Sequence, residues 1–336
     1  MTPEVRARLF GWDHAFDHSF TLWATVVLVG VALLSPLAIL ALRAAGRLSD
    51  KAYRELIARC LTWAVLVPLM LAPILAGAAW TILAVAILSV LCYLEFSRNT
   101  PLKDAWAINA AALVGIAALA FGALDRWWEF FSGAAALTIV VMAGVTIFRD
   151  QPQGYLQRVA LGVLGFGLFG SGLAHLAYFA NDDNYRPTLI LIILATEAND
   201  IFAYLCGKTF GRRKLIPHTS PNKTIGGSVG ALVLTSLLVV LLGRLVFAGS
   251  ALNDPLKLAV LGVLISALGQ LGDLVMSSVK RDLGVKDLGT TLPGHGGLLD
   301  RFDSLLLVAP AVFYYHGLFR GLLPTGPAEI FSSAWR

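Results

Sequence analysis

"FTLWATVVLVGVALLSPLAILAL" (residues 20–42) contains no charged side chain. A helix that crosses the hydrocarbon core of a bilayer needs ~20 mostly apolar residues, so this stretch is long enough to span. The segment before it is of mixed charge, and no A-x-A-like cleavage site follows, so it reads as a retained helix rather than a signal peptide. The whole chain agrees: of 336 residues 57% are hydrophobic and 14% charged, with a mean hydropathy of +0.74. Soluble domains average about 45–50% apolar and about 25% charged residues. Hydropathy places ten spans near 20–42, 60–77, 78–96, 105–123, 131–148, 159–180, 188–207, 228–248, 256–276 and 302–321. The fold class is an all-α polytopic integral membrane protein. Four regions follow: an interfacial segment (1–19), a transmembrane scaffold (20–180), a catalytic transmembrane region (181–321) and a tail (322–336). The second and third spans run together through "APILAGAAW" (72–80) with no polar turn.

Charge orients the spans. Arg43, Arg47, Lys51, Arg54 and Arg59 fill one link, Lys208, Arg212, Arg213, Lys214 and Lys223 a second, and Lys280, Arg281, Lys286 and Arg301 a third. Alternation puts all three on one side, and the positive-inside rule makes that side cytoplasmic. The termini then fall outside, although Arg6 and Arg8 pull the other way. A pI near 9.2 is read through anionic lipid rather than nucleic acid, because no basic surface interleaved with aromatics is present. Cys60, Cys92 and Cys206 lie far apart and suggest neither a disulfide framework nor a zinc site.

Some motifs carry no chemistry. "GFGLFG" (165–170) matches G-x-G-x-x-G but lies inside an apolar span, where small residues serve helix packing. "GKT" (207–209) lacks the first P-loop glycine, whose place is taken by Phe202. His175, alone in a span, reads as a packing histidine. His14 and His18 beside Asp13 and Asp17 read as a solvated interfacial segment.

Ionisable residues within spans are functional candidates, since each costs at least ~2.5–3.5 kcal/mol on insertion scales. Glu95 sits near a cytoplasmic helix end, where snorkelling or pairing with Arg98 would account for it. Glu197 and Asp200, three apart, share a helix face. Asp273 lies where the ninth span meets the cytoplasm, and Asp300 and Asp303 open the tenth. Converging carboxylates resist ionising together unless a cation offsets them. Mg²⁺ suits oxygen ligands and completes its shell with water and substrate phosphates, and the nearby lysines and arginines suit phosphate oxygens. Glycines such as Gly296 and Gly297 let backbone N–H groups approach an anion. "SPNKTIGG" (220–227) repeats that vocabulary at the start of a span. The pattern points to metal-assisted phosphoryl or nucleotidyl transfer.

"SSVKRDLGVKDLGTTLPGHGGLLDRFD" (277–303) resembles the C-terminal signature of the phosphatidate cytidylyltransferases (CDP-diacylglycerol synthases). Ser277, Lys280, Arg281, Lys286, Asp287, Pro293, His295, Gly296, Gly297, Asp300, Arg301 and Asp303 fill its fixed places. "NDIFAYLCGKTFGRRKLIPHTSPNKT" (199–224) is similar to a second block of that family. One departure stands out: the family block continues Lys-Thr-Trp-Glu-Gly or Lys-Thr-Trp-Gln-Gly, and here Lys223-Thr224 is followed by Ile225-Gly226-Gly227.

The resemblance implies Mg²⁺-dependent transfer of a cytidylyl group from CTP to phosphatidate, giving CDP-diacylglycerol and pyrophosphate, at the cytoplasmic face of a bacterial inner membrane. It implies Asp273, Asp300 and Asp303 as cation ligands, with Asp200 as a further ligand or orienter and room for a second cation. Lys223, Lys280, Arg281, Lys286 and Arg301 would hold phosphates. His295, Gly296 and Gly297 would shape the loop around pyrophosphate, and Asn199, Ser220 and Thr224 would support substrate. A homodimer fits the family. The alternatives are a CTP-dependent transferase on another lipid phosphate, a non-catalytic paralogue, and a transporter. A transporter would place its charges at the bilayer midplane between internal repeats, whereas these gather at one face.

Overall fold

The computed structural model describes residues 3–289, 297–321 and 330–331. Ten helices among them are long and apolar enough to cross a membrane, and the protein is an integral membrane protein. In chain order the helices are α1 (Pro3–Phe10), α2 (Ser19–Ala44), α3 (Asp50–Ala76), α4 (Ala78–Arg98), α5 (Trp106–Leu124), α6 (Trp128–Val145), α7 (Tyr155–Gly165) and α8 (Leu173–Phe179). After α9 (Tyr185–Phe210) come strands β1 (Lys214–Ile216) and β2 (Ser220–Thr224), then α10 (Ile225–Val246), α11 (Pro255–Asp282), α12 (Leu299–Phe302) and α13 (Leu305–Arg320). All ten expected spans are present: α7 and α8 join through a π-helical stretch (Phe166–Gly172) into one span (Tyr155–Phe179), and α12 with α13 forms the last (Leu299–Arg320).

The boundaries differ from hydropathy in an instructive way. Helix α11 runs six residues past the apolar stretch that ended at 276, so Lys280 and Arg281 stand on its last turn rather than in a loop. Helix α9 likewise carries Lys208 on its last turn. Cations there meet the negative end of the helix dipole, so polar turns extend the helix beyond the membrane. The stretch read as a polar loop after α9 contains an antiparallel hairpin, with Lys214 opposite Thr224 and Ile216 opposite Ser220.

The turn in "APILAGAAW" is made by a single residue. Gly77 sits at φ +135°, where L side chains are strained, and α4 begins at once. A Cβ there would strike the Leu9 carbonyl and lie 3.1 Å from Phe10 Cα, so α1 packs directly on this turn. Thr81 Oγ1 donates to the carbonyls of Pro73 (3.1 Å) and Gly77 (3.0 Å), adding a side-chain bond to the backbone N–H that each already accepts across the turn. Gly77→Ala is therefore expected to destabilise the protein by about 1–3 kcal/mol, read as a lower melting midpoint in detergent. An unchanged midpoint would show that α1 yields freely.

The core lies among α4, α5, α8, α9, α11 and α13. Its largest buried side chains include Tyr93, Phe96, Phe166, Phe169, Tyr178 and Phe179. "GFGLFG" is packing, as expected: Gly165 faces the Phe96 ring, and Gly170 faces Phe166 and Ile116. His175 is buried and its Nδ1 bonds to the Ser171 carbonyl at 2.8 Å. The cysteines are free. Helix α2 is the least covered span and presents Trp23, Leu33, Leu34 and Leu37 outward.

The bundle has two polar ends. At one, Arg8 of α1 donates to the Leu124 carbonyl (3.0 Å) and to Asn181, while Arg186 donates to the Gly11 carbonyl (2.6 Å). Burial, then the charge of Arg126, pulls the Arg8 guanidinium down to about 10 against the opposing pull of Asp125. His14 there pairs with Asp17 at 2.8 Å, and His18 caps α2 by accepting from the Phe20 N–H. Asp125 accepts the N–H groups of Ile330 and Phe331, both at 2.7 Å. The hairpin, the end of α11 and the start of α12 lie at the other end, so the N-terminal helix and the candidate site occupy opposite ends of the bundle.

Candidate active site

Three helices and the hairpin deliver the polar side chains. Helices α9, α10 and α11 pack closely through small residues: a Cβ on Gly230 would meet Cys206, and one on Gly262 would meet the Ser236 backbone. Asn199 sits at the centre of this contact, fully buried. Its Oδ1 accepts from Ser266 Oγ (2.6 Å) and Thr235 Oγ1 (3.3 Å), which fixes the rotation of α9 against its neighbours. One residue on, Asp200 emerges from this contact, and its Oδ2 accepts from Ser304 Oγ at 3.3 Å.

Gly272 brings the next pair together. A Cβ on it would lie 2.5 Å from the Asp303 carbonyl oxygen and 3.5 Å from Ser304 Cα. Only a bare glycine lets the start of the last span press against α11 at this level, directly beside Asp273. Asp303 is buried and within electrostatic reach of Asp273, Lys280, Asp200 and Asp300, and Asp200 within reach of Asp273, Lys223 and Arg301. The four carboxylates expected from the sequence thus form one cluster.

Cations interleave with them. Lys223 reaches from β2 to Asp273 Oδ2 at 2.5 Å and also donates to the Gln270 carbonyl at 3.4 Å. Lys280 meets Asp300 Oδ1 at 2.7 Å. Asp300 Oδ2 accepts the N–H groups of Leu288 (3.3 Å) and Gly297 (3.0 Å). Asp273 Oδ1 accepts from Ser277 Oγ at 3.3 Å. Arg281 Nε donates to the Thr219 carbonyl at 3.3 Å, tying the tip of the hairpin to α11. Arg301 faces Glu197 and Asp200 electrostatically, yet its buried Nε has no hydrogen-bond acceptor among the described residues.

Other expected residues occupy different positions. Thr224 Oγ1 accepts the Gly227 N–H at 3.1 Å and so caps α10, a role its residue type predicts. Ser220 is half-buried in β2, and Lys286 is exposed beyond α11. His295 and Gly296 lie outside the described residues, and Gly297 just inside them.

Glu95, set aside in the sequence as a snorkelling residue, reaches this end of the bundle from α4. Its Oε2 accepts the Leu299 N–H at 2.8 Å across 204 residues of chain. An intramembrane carboxylate was the only available signal.

No three His, Cys, Asp or Glu side chains converge as a preformed metal cage among the described residues. Mg²⁺ asks for less: one or two carboxylates, with water and substrate oxygens completing the shell. The donor set, four hard carboxylates outnumbering Lys223, Lys280 and Arg301, fits such an ion.

The family model described as Cytidylyltransferase family matches residues 57–319. The chain is 34% identical over 279 residues to the uncharacterized protein YnbB of Escherichia coli (strain K12), covering 80% of this chain and 90% of that one. It is 33% identical over 257 residues to the phosphatidate cytidylyltransferase of Bacillus subtilis (strain 168), covering 71% and 89%. To the phosphatidate cytidylyltransferase of Staphylococcus haemolyticus it is 42% identical over 139 residues, covering 41% and 52%.

Proposed function

The chain belongs to the cytidylyltransferase family, and from that premise we propose that it transfers the cytidylyl group of CTP to phosphatidate, giving CDP-diacylglycerol and pyrophosphate. It is a nucleotidyltransferase. The observation that carries the finer reading is the interleaving of Asp200, Asp273, Asp300 and Asp303 with Lys223, Lys280 and Arg301 at one end of the bundle. The basic links gathered at that end orient it to the cytoplasm, where CTP is met.

The chemistry suits these residues. An oxygen of the lipid phosphate attacks the α-phosphorus of CTP, and the bond from that phosphorus to the oxygen bridging to the β-phosphate breaks. The nucleophile is already an anion, so no strong base is required. The difficulty is to bring two polyanions together and to hold them in line. Lys223 and Lys280 each have ammonium N–H donors beyond those spent on Asp273 and Asp300. Arg301 has its buried Nε still to donate, and a phosphate oxygen is the acceptor such a guanidinium suits. Arg281 and Lys286 stand at the rim for the outer phosphates. One or two of the carboxylates of Asp273, Asp303 and Asp200, with water and substrate oxygens, would hold Mg²⁺, which when bound supplies positive charge against the phosphates and the leaving pyrophosphate.

A specific observation favours a second reading, in which the acceptor is another lipid phosphate. The Ile225-Gly226 departure is built into the packing. A Cβ on Gly226 would lie 2.7 Å from the Phe210 carbonyl oxygen and 3.0 Å from its carbon. No glutamate or glutamine fits there unless α9 and α10 separate. The side chain that follows Lys-Thr-Trp in the family pattern is therefore missing for a structural reason, beside the residue that follows Lys223 and Thr224.

The test is turnover of radiolabelled CTP by purified protein in lipid–detergent micelles with Mg²⁺, offering phosphatidate beside a panel of other lipid phosphates. Labelled CDP-diacylglycerol and pyrophosphate in equal amounts are expected with phosphatidate. Product with a different lipid only would select the second reading. No product from folded protein with any lipid would overturn both.

A further inference from the structure

Helix α4 belongs to the half of the chain that reads as scaffold, yet its last turn grips both ends of the segment that leads into Asp300. Asn99 Nδ2 donates to the Leu288 carbonyl at 2.5 Å and to the Glu95 carbonyl at 2.7 Å. Glu95 Oε2 accepts the Leu299 N–H at 2.8 Å. Glu95 is also the nearest neighbour of both Gly289 and Gly297. A Cβ on Gly297 would lie 2.5 Å from Oε1 and 2.9 Å from Cδ. A Cβ on Gly289 would collide with Oε1 and lie 2.8 Å from Cδ and 3.2 Å from Gly297 Cα. The carboxylate is thus wedged between two backbone segments that side chains would push away. Asp300 engages the same two ends through the N–H groups of Leu288 and Gly297.

From this geometry we infer that Glu95 is a positioning residue for the reaction. It acts through the backbone of Gly289, Gly297 and Leu299 to set where Asp300 and Arg301 stand against Asp273 and Lys280. The inference rests on the cytidylyl-transfer reading of the same site. Among the described residues, the contacts of Glu95 at Leu299, Gly289 and Gly297 are with backbone and with no side chain assigned to the reaction. Its carboxylate replaces the side chains that two glycines lack, and it gives the Leu299 N–H, one of the free donors at the start of a helix, an acceptor from another helix. This accounts for a carboxylate on a membrane-spanning helix without a metal or substrate role, and it couples α4 to the site across the whole chain.

The experiment is a double-mutant cycle between Glu95 and Gly289, neither of which is assigned to substrate or cation. Glu95→Ala is expected to lower kcat/KM for CTP about a hundredfold, the scale on which a reacting group displaced by an ångström acts. Glu95→Gln keeps a carbonyl acceptor for Leu299 and is expected to recover at least about a tenth of wild-type activity. Gly289→Ala alone is expected to cost about tenfold, but no more than about twofold when Glu95 is already alanine, since its methyl group then has room; such coupling is the mark of residues in contact. A general loss of folding would instead reduce activity by the same factor in both backgrounds, and that result would overturn the inference.

A second readout is independent of turnover. Amide hydrogen exchange of a peptide containing Leu299 should rise in Glu95→Ala while peptides from α9 and the hairpin stay unchanged. Unchanged exchange at Leu299 would also overturn the inference. A wild-type protein that turns over no CTP would overturn the cytidylyl reading instead, and the exchange result would still decide whether Glu95 holds this backbone.

Discussion

Asp273→Asn is expected to lower CTP turnover by about a thousandfold or more, which is ~4 kcal/mol in the barrier, while the protein still inserts and melts within a few degrees of the wild type. Asp273 stands where three influences meet. Lys223 reaches it from the hairpin at 2.5 Å, Ser277 donates to it from one turn on, and Asp200 and Asp303 lie within its field. Its side chain is 27% exposed, so solvent can answer Lys223 when the carboxylate is replaced. The amide retains an acceptor for Ser277 and loses the charge that Lys223 and a bound cation would answer. Loss of turnover with an intact melting curve therefore places Asp273 in the chemistry. Activity within tenfold of the wild type would remove it from any cation-holding role and leave the cluster as an ion-pair network.

How much of this could be read in the sequence follows from the range of each cause. The ten spans depend on local hydropathy, and hydropathy found them all. The Gly77 turn also depends on one residue, but its reason, the Leu9 carbonyl pressed against it, lies 68 positions away, so the run through "APILAGAAW" looked continuous. The carboxylates stood out because ionisable residues are rare in apolar runs. That Asp273 and Asp303 meet depends on Gly272, and nothing in "GQLGDLV" separates that glycine from its neighbours until the last span is seen lying on it. Thr224 read as a substrate residue because it sits in a polar motif, and it caps α10 because helix starts select the same residue types. Asn199 read as a residue that supports substrate and is fully buried in the contact of α9 with α10 and α11. Glu95 was visible as an oddity, but its partners lie about two hundred residues on.

The ion pair of Lys280 with Asp300 leads to the second large effect. Their side chains are 13% and 5% exposed, so neither charge is well solvated. Among the described residues, Lys280→Met leaves the Asp300 carboxylate with the N–H groups of Leu288 and Gly297. Removing one partner of a buried pair costs about 3–5 kcal/mol, and the variant is expected to melt well below the wild type as well as to lose turnover. Adding Asp300→Asn to Lys280→Met removes the stranded charge, while the amide oxygen can still accept from the same backbone N–H groups. The double variant is expected to regain most of the lost stability and none of the turnover. The two readouts thereby part. Recovery of the melting midpoint attributes the first loss to an uncompensated buried charge. Continued inactivity attributes the chemistry to the charges themselves, held at the junction of α11 and the final span. A Lys280→Met variant that melts like the wild type would show that backbone N–H groups alone satisfy Asp300. A double variant that turns over CTP would exclude both residues from phosphate handling and move that role to Lys223 and Arg301.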